Sequence, residues 1–162
     1  MAGAPQVAIT PYVAVVGPGD ASEEEIAAAE AVGRGLARSG AVLVCGGLGG
    51  VMAAASRGAA EAGGTTVGIL PGTDRAAGNE WLTVAIPTGL GELRNGLVIR
   101  ASDAVIAVGG AYGTLSEIAL ALKTGTPVIG LNSWDIEGVE PVKSIEAAVR
   151  TAVTAGTSRT RS

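Results

Sequence analysis

The chain repeats one structural unit: a short apolar run rich in β-branched residues, then a glycine-rich turn, then a stretch in which apolar residues have helical spacing. Apolar runs without polar alternation are typical of strands buried on both faces, as in a parallel sheet covered by helices on each side. The alternation of such strands with helices indicates βαβ units. The sequence therefore predicts an α/β fold, a three-layer α/β/α domain with a mainly parallel sheet.

The repeated units divide the chain into six predicted strands and five predicted helices. The strands are expected at residues 12–16, 41–45, 65–70, 82–86, 104–108 and 128–131, the sixth being the last. The helices are expected at residues 22–39, 51–62, 90–101, 114–123 and 142–153. Ser22 and Glu25 have the spacing of a capping box, which predicts the start of the first helix.

The length of the chain, 162 residues, fits one domain, since domains have roughly 100–200 residues. We assign residues 12–154 to that domain. Residues 1–11 form an N-terminal extension, and it lacks the basic and apolar regions of a signal peptide. Residues 155–162 are predicted to be a polar, disordered tail.

Composition argues against several classes of function. There is no histidine and one cysteine, which disfavours His–Cys zinc sites, histidine-dependent nucleophiles, disulfide frameworks and histidine-ligated haem. Aromatic residues are 2% and the net charge is −4, so neither a base-stacking RNA surface nor attraction to nucleic acid or anionic membranes is expected. No apolar run approaches the roughly 18 residues of a membrane span. We therefore expect a cytoplasmic protein without a metal site, in which Cys45 is a small core residue.

Two glycine-rich turns, GGLGG at 46–50 and GGAYGT at 109–114, follow predicted strands and precede predicted helices. Exposed backbone N–H groups and a helix N-terminus together bind phosphate without a lysine. The alternative is that the glycines serve only tight turns. Neither turn matches the G-x-G-x-x-G or P-loop pattern. The residues predicted to bind a phosphate or nucleotide are Gly17, Gly46, Gly47, Gly49, Gly50, Met52, Gly109, Gly110, Gly113 and Thr114.

Charged residues near the second turn have structural alternatives as well. Thr114 and Glu117 have the spacing of a capping box, so Glu117 is either a helix cap or a site residue. Arg94 and Arg100 cannot share a helix face unless the helix starts after Arg94, so one of them is expected to be an ordinary surface charge. Trp134, after the last predicted strand, covers a ligand, the core or a subunit contact.

Four segments stand in an order that resembles the Lonely Guy (LOG)-like superfamily, whose members are often mislabelled as lysine decarboxylases. They are GGLGGVM, ELRN, SDAVIAVGGAYGTLSEIALAL and PVIGL, in that order. The resemblance runs from about Tyr12 to Leu131, and GGAYGTLSE is its most specific part. It is closest to the small bacterial branch that includes the molybdenum-cofactor carrier proteins.

The resemblance implies a Rossmann-like dimer and, for the LOG enzymes, hydrolysis of cytokinin riboside 5′-monophosphates to a base and ribose 5-phosphate. The LOG signature, P-G-G-x-G-T-x-x-E with an upstream His-x-Arg-Lys, implies Arg94 and Glu117 as catalytic residues. The chain departs from it with Gly109 for the proline and Ala111 for a glycine. It also has Glu92 for the histidine and Asn95 for the lysine.

The leading hypothesis is a nucleotide-binding protein of the LOG-like group that hydrolyses a nucleoside 5′-monophosphate. Glu117 would stabilise the ribosyl cation and Arg94 would bind the phosphate or the leaving base. The alternative, which the departures favour, is a non-catalytic carrier or sensor for a molybdenum-cofactor-like pterin or a nucleotide. A third possibility is a structural subunit with a vestigial site. No cofactor is required in any of these, and the partner is a small phosphate-bearing molecule. The apolar segment LSEIALAL and the resemblance both predict a homodimer or larger homo-oligomer.

Overall fold

A computed structural model describes residues 9–159 of the chain. Its strands are β1 (Tyr12–Val16), β2 (Val42–Cys45), β3 (Thr66–Leu70), β4 (Val84–Pro87), β5 (Ala104–Val108), β6 (Val128–Leu131) and β7 (Val139–Val142). Its α-helices are α1 (Glu23–Arg38), α2 (Val51–Glu61), α3 (Asn95–Arg100), α4 (Tyr112–Lys123) and α5 (Ile145–Arg159). None of the helices in this part of the chain is long and apolar enough to cross a membrane.

The seven strands form one sheet in the order β4-β3-β2-β1-β5-β6-β7, and all neighbouring strands are parallel. The chain winds outward from β1 to β4, then returns to place β5 on the other side of β1. The strand order therefore reverses between β1 and β5. Sheets of this kind bind ligands at such a point, outside the carboxyl ends of the strands.

The sheet is buried on both faces, which confirms the predicted three-layer α/β/α, Rossmann-like fold. On one face α1, α2 and α5 cover Val13, Val15 and their neighbours, and on the other α3 and α4 cover Val16 and Val105. Every residue of β5 is buried, in keeping with its uninterrupted apolar sequence. The edge strands β4 and β7 are half exposed.

Two predictions about the end of the chain were wrong. A seventh strand, β7, follows β6. It was not predicted because it contains Pro141, which argues against a central strand, although an edge strand tolerates proline. Helix α5 continues to Arg159, into the segment 155–162 that was predicted to be disordered. Gly156 is buried there, and a Cβ atom on it would lie 3.2 Å from the Cβ of Pro11, so close packing of the backbone holds the last turns. Residues 160–162, and residues 1–8 of the predicted extension, lie outside the described residues.

Three boundaries within the chain also differ from the prediction. The fourth strand lies at Val84–Pro87 rather than 82–86. The helix predicted at 90–101 consists of a 3-10 helix, Gly91–Arg94, followed directly by α3, and its first residue, Gly91, has a φ of +58°. Helix α4 begins at Tyr112, inside the GGAYGT turn rather than after it.

The capping box predicted at the start of α1 is confirmed. The Ser22 hydroxyl oxygen accepts from the Glu25 N–H at 3.2 Å, and the Glu25 carboxylate accepts from the Ser22 N–H at 2.9 Å.

Candidate functional site

Both glycine turns lie at the carboxyl edge of the sheet, where the strand order reverses. The 46–50 turn follows β2 and the 109–114 turn follows β5, and these strands flank β1. The turn 17–19 at the end of β1 therefore lies between them. The two turns therefore share one edge of the sheet, with β1 between them.

Gly17 has a packing role at the centre of this edge. A Cβ atom there would lie 2.5 Å from the carbonyl oxygen of Val108 and 2.7 Å from the methyl groups of Val51. Only glycine therefore lets the end of β5 and the start of α2 pack directly against the end of β1. Gly50 has a φ of +61° and its Cβ would overlap the carbonyl groups of residues 18 and 19, so it too is required by the backbone.

Some backbone N–H groups in and next to the 46–50 turn already donate hydrogen bonds within the protein. The N–H of Gly47 donates to the Cys45 sulfur at 3.4 Å, and the N–H of Val51 donates to the carbonyl of Pro18 at 3.0 Å. Helix α2 has no side-chain cap and no acidic residue in its first turn. Met52 is half-buried and contacts the space beside Gly46. Gly49 is exposed, with open space around it.

The start of α4 has the more open arrangement. Its N-cap residue is Ala111, which is extended and has no side chain able to cap the helix. Among residues 9–159, the backbone N–H groups of residues 110–114 donate to no other protein group. The helix dipole adds a partial positive charge at the same place. This end of α4 is therefore suited to an anion.

Thr114 adds a buried hydroxyl to this first helical turn. The residue is 2% exposed, and its Oγ1 atom has no hydrogen-bond partner within the described part of the chain. A buried polar atom without a partner costs free energy. A ligand oxygen at the helix N-terminus would remove that cost.

The capping box considered for Thr114 and Glu117 does not form. Thr114 is the third residue of α4 rather than its N-cap, so Glu117 lies one turn too far into the helix to reach the free N–H groups. The structural alternative for Glu117 is therefore excluded.

Glu117 is a buried carboxyl group on the face of α4 that packs against the sheet. It is 7% exposed. Its carboxyl group makes no hydrogen bond with another described residue, although its backbone is part of α4. Burial raises its pKa to about 7, and the positive charge of Arg94 partly opposes that shift. Near neutral pH this carboxyl group can therefore accept or release a proton.

Arg94 is buried as well, at 8% exposure, whereas Arg100 is exposed. Its Nε donates to the carbonyl of Ile69 at 2.8 Å and its Nη2 to the carbonyl of Gly46 at 3.3 Å, while its Nη1 contacts the side-chain oxygen of Asn95. The guanidinium group thus joins the ends of β2 and β3 to the start of α3. Arg100 is the ordinary surface charge that the spacing predicted.

Gly109 differs from the other residues of its turn. Its φ is +66°, its N–H donates to the carbonyl of Leu131 at 3.2 Å, and a Cβ atom on it would overlap the carboxylate of Glu25. The negative charge of Glu25 therefore lies beside Gly109. The free donors of the turn are the N–H groups that follow it, from Gly110 to Thr114.

An aromatic pair that motif spacing did not indicate lies over this turn. The Trp134 indole N–H donates to the carbonyl of Ala111 at 3.2 Å, and its ring stacks with Tyr112 at 6.4 Å between ring centroids. Trp134 was expected to cover a ligand, the core or a subunit contact, and the structure places it over the 109–114 turn. Tyr112 was missed because an aromatic residue inside a glycine turn has no periodic pattern to identify it.

A cavity of about 630 Å³ opens between α3 and α4, next to Tyr112. Asn95 and Ser116 meet in its wall, with 3.4 Å between the amide nitrogen and the hydroxyl oxygen, and Ser116 donates to the carbonyl of Gly113 at 2.7 Å. Arg94 also lines the cavity. Its volume falls in the range of ligand pockets, about 300–1,000 Å³.

Cys45 ends β2 beneath these groups. It is fully buried in the core, as predicted, and its sulfur lies 3.5 Å from the Ser56 hydroxyl oxygen. Burial raises the pKa of its thiol. Over residues 9–159, no group of three or more Cys, Asp or Glu side chains is placed to hold a metal ion.

We expect Thr114→Val to raise the free energy of unfolding of the ligand-free protein by about 1 kcal/mol, because valine replaces an unpartnered buried hydroxyl with a methyl group of similar size. Thr126→Val is the matched control. Thr126 is equally buried, but its hydroxyl lies 3.2 Å from that of Thr124, so its loss should be destabilising. Urea unfolding at pH 7 measures both changes. A loss of stability in Thr114→Val would mean that its hydroxyl is already paired.

Known proteins resemble this chain over most of its length. The model of the SLOG cluster4 family matches residues 10–158. An uncharacterized protein of Archaeoglobus fulgidus is 44% identical over 138 residues, which cover 85% of this chain and 91% of that protein.

Two solved structures extend the comparison. The molybdenum cofactor binding protein of Rippkaea orientalis is 38% identical, with a TM-score of 0.84 over 88% of this chain and 95% of that one. The Moco carrier protein of Chlamydomonas reinhardtii is 35% identical, with a TM-score of 0.83 over 93% of this chain and 99% of that one. The resemblance to LOG-like proteins, and within them to the molybdenum-cofactor carriers, is confirmed. The chain belongs to the SLOG cluster4 family.

Proposed function

We propose that this protein is a carrier that binds a phosphate-bearing pterin of the molybdenum-cofactor class at the carboxyl edge of the sheet. The observation that carries the proposal is the start of α4, where the backbone N–H groups and the Thr114 hydroxyl all lack a hydrogen-bond partner. An anion bound there would accept hydrogen bonds from these groups. The likeness to two proteins described as binding or carrying this cofactor supports the choice of ligand.

The residues present fit such a molecule, which is cargo here rather than a resident cofactor. A terminal phosphate takes the free N–H groups of residues 110–114 and the Thr114 hydroxyl, which needs no basic side chain. The 46–50 turn and Met52 lie two strands away and would contact the more distant part of the ligand. Gly109 donates its N–H elsewhere and lies beside Glu25, so the phosphate belongs on the helix side of the turn.

Retention of molybdopterin tests the proposal. The purified protein is mixed with a molybdopterin preparation, passed through gel filtration without oxygen, and examined for pterin fluorescence. The wild-type chain should retain the pterin, and inorganic phosphate should compete with it. Thr114→Val should weaken retention about tenfold, because one hydrogen bond to a charged ligand is lost, whereas Thr126→Val should not. No retention by the wild type would contradict the proposal.

A second candidate function is hydrolysis of a nucleoside 5′-monophosphate, and Glu117 favours it. A carboxyl group with a pKa of about 7, buried in α4 three residues after the 109–114 turn and influenced by the charge of Arg94, is suited to stabilising a ribosyl cation and accepting a proton from water.

A screen of nucleoside monophosphates for released base tests this candidate. If a substrate is found, Glu117→Gln should lower turnover by about a hundredfold or more with binding nearly unchanged, since one electrostatic group acting on the transition state is lost. Unchanged turnover in Glu117→Gln would show that this residue takes no part in the mechanism. If no monophosphate releases its base, the hydrolase candidate is contradicted and the carrier function is the one that remains.

We also propose that the protein is a homodimer or larger homo-oligomer. Four leucine side chains of the α3–α4 side are substantially exposed: Leu90, Leu93, Leu97 and Leu120. Leu93 and Leu120 also line the 630 Å³ cavity, so the proposed contact and the proposed ligand site share this side of the domain. An apolar face of this kind on a domain this small is typical of a subunit contact. Light scattering at micromolar concentration should give at least twice the chain mass, and Leu93→Glu should reduce it. A monomeric wild-type protein would contradict the proposal.

A further inference from the structure

We propose that the exposed ring of Tyr112, held by Trp134, is a stacking surface for a planar heterocycle, so that the site selects phosphate esters of flat heterocycles over other phosphate esters. This inference rests on the proposed function, because it requires an anion at the start of α4. It adds the part of the ligand that the phosphate donors alone do not specify.

The exposure of Tyr112 is the first observation. Its side chain is 85% exposed, the highest value among the large apolar residues of the described chain. The whole sequence has only two tyrosines, two tryptophans and no phenylalanine, and two of these four residues meet at this edge. A ring left in water contributes nothing to the core, so its place at the carboxyl edge of the sheet needs another explanation.

The second observation is that the position of the pair is fixed. The Trp134 indole donates to the carbonyl of Ala111, and a Cβ atom on Gly110 would lie 2.8 Å from the indole nitrogen. The turn therefore accepts the indole only because residue 110 is glycine. Trp134 in turn stacks against Tyr112, with an angle of 26° between the rings. The tyrosine ring is thus supported on one side and open on the other.

The third observation is the direction in which the ring is open. Tyr112 is the first residue of α4, so its ring and the free N–H groups start from the same turn. It also lines the 630 Å³ cavity, whose wall carries the Asn95 amide and the Ser116 hydroxyl. A ligand with its phosphate on the helix N-terminus can therefore place a flat ring on Tyr112 and direct its polar edge to Asn95. Base–aromatic stacking of this kind is sequence-tolerant and strong enough to set a preference.

The test compares three probes: guanosine 5′-monophosphate, ribose 5-phosphate and inorganic phosphate. Guanine has the same aminopyrimidinone ring as a pterin. Affinities are measured by calorimetry on the full chain and on Tyr112→Ala, Tyr112→Phe and Tyr12→Ala. Tyr12 is the matched control, because it is partly exposed at the start of β1, the opposite end of the sheet from the turns.

The wild type should bind guanosine 5′-monophosphate about tenfold or more tightly than ribose 5-phosphate. Tyr112→Ala should lose that preference while its affinity for ribose 5-phosphate and phosphate stays within about twofold. Tyr112→Phe and Tyr12→Ala should behave like the wild type. In a Trp81→Phe background, Trp134 is the only tryptophan, and its fluorescence should change with the nucleotide but not with phosphate.

Three outcomes would overturn the inference. One is equal affinity of the wild type for the nucleotide and for ribose 5-phosphate, which leaves the anion site intact but removes the stacking surface. Another is a Tyr112→Ala variant that keeps the preference, or that loses oligomer mass by light scattering without any change in preference. The last is a wild type that binds none of the three probes, which contradicts the proposed function as well.

Discussion

At pH 8, replacing Glu117 by glutamine should raise the free energy of unfolding by about 3 kcal/mol. The reason is that burial raises the pKa of this carboxyl group from 4.5 to about 7 in the folded chain, against an opposing effect of Arg94. At pH 8 the folded protein therefore holds a buried charge that the unfolded chain exposes to water. Glutamine resembles the protonated carboxyl group and carries no such charge.

The sign of the pH dependence follows from proton binding. Between about pH 4.5 and pH 7 the folded protein binds more protons at Glu117 than the unfolded chain does. The contribution of this residue to stability is therefore present below about pH 4.5, falls as the pH rises through this window, and is constant above it. Glu117→Gln should lack this decline, so the two stability curves should converge at low pH and separate toward neutral pH.

Urea unfolding at several pH values between 4.5 and 8 provides the measurement. Glu137→Gln, at an exposed residue of the loop before β7, is the control for loss of one negative charge. It should change stability little at any of these pH values. Parallel curves for Glu117→Gln and the parent chain would show that Glu117 has an ordinary pKa in the folded protein.

This expected gain bears on function. A gain of this size would mean that Glu117 serves something other than folding. The same reasoning applies to the Thr114 hydroxyl and to the uncapped start of α4, which lie in one helical turn. Three local departures from stable structure between residues 112 and 117 support the proposed binding site, since a ligand there would supply the missing partners.

The sequence predicted the fold well because its central strands are unusually uniform. β5 (AVIAV) and β1 (YVAVV) are buried on both faces, and this is what their lack of polar alternation indicated. The edge strand β7 could not be found in this way. It is half exposed and contains Pro141, so it has neither the apolar run nor the regular alternation of a strand. Strand order was not accessible either, because right-handed crossovers limit the order without fixing it.

The site was predicted only in part, for a related reason. Glycine turns at strand ends identified the edge. The spacing of Arg94 and Arg100 indicated that one of them is an ordinary surface charge, and only the resemblance to LOG-like proteins pointed to Arg94 as the site residue. The start of α4 was misplaced because helices are located by their caps, and α4 begins at Tyr112 without one. The Thr114–Glu117 spacing imitated a cap that the helix does not have. Asn95 and Tyr112 contact their partners across elements, and no local pattern in the sequence encodes such contacts.

The second large effect is expected from Arg94. Arg94→Ala should lower the free energy of unfolding by about 3 kcal/mol, because hydrogen bonds from a buried charged group contribute about 1.5–3 kcal/mol each and their acceptors stay buried. The carbonyl groups of Ile69 and Gly46 both lose a donor in this variant. Arg94→Lys keeps the charge but not the planar fork, so it should restore only part of the loss.

A double-mutant cycle separates the two tasks of this arginine, which are to join the ends of β2 and β3 and to oppose the charge of Glu117. Among the described residues, Arg94 and Glu117 do not form a direct ion pair. Their coupling is therefore the longer-range attraction between the two charges. At pH 8, Arg94→Ala should therefore cost less in the Glu117→Gln background than in the parent chain, by about 1 kcal/mol. At pH 5 the Glu117 carboxyl group is protonated and the coupling should disappear, while the loss from the backbone hydrogen bonds stays. A coupling that is equal at both pH values would mean that Arg94 and Glu117 interact through packing, and Glu117 would then not carry the charge that its burial near Arg94 indicates.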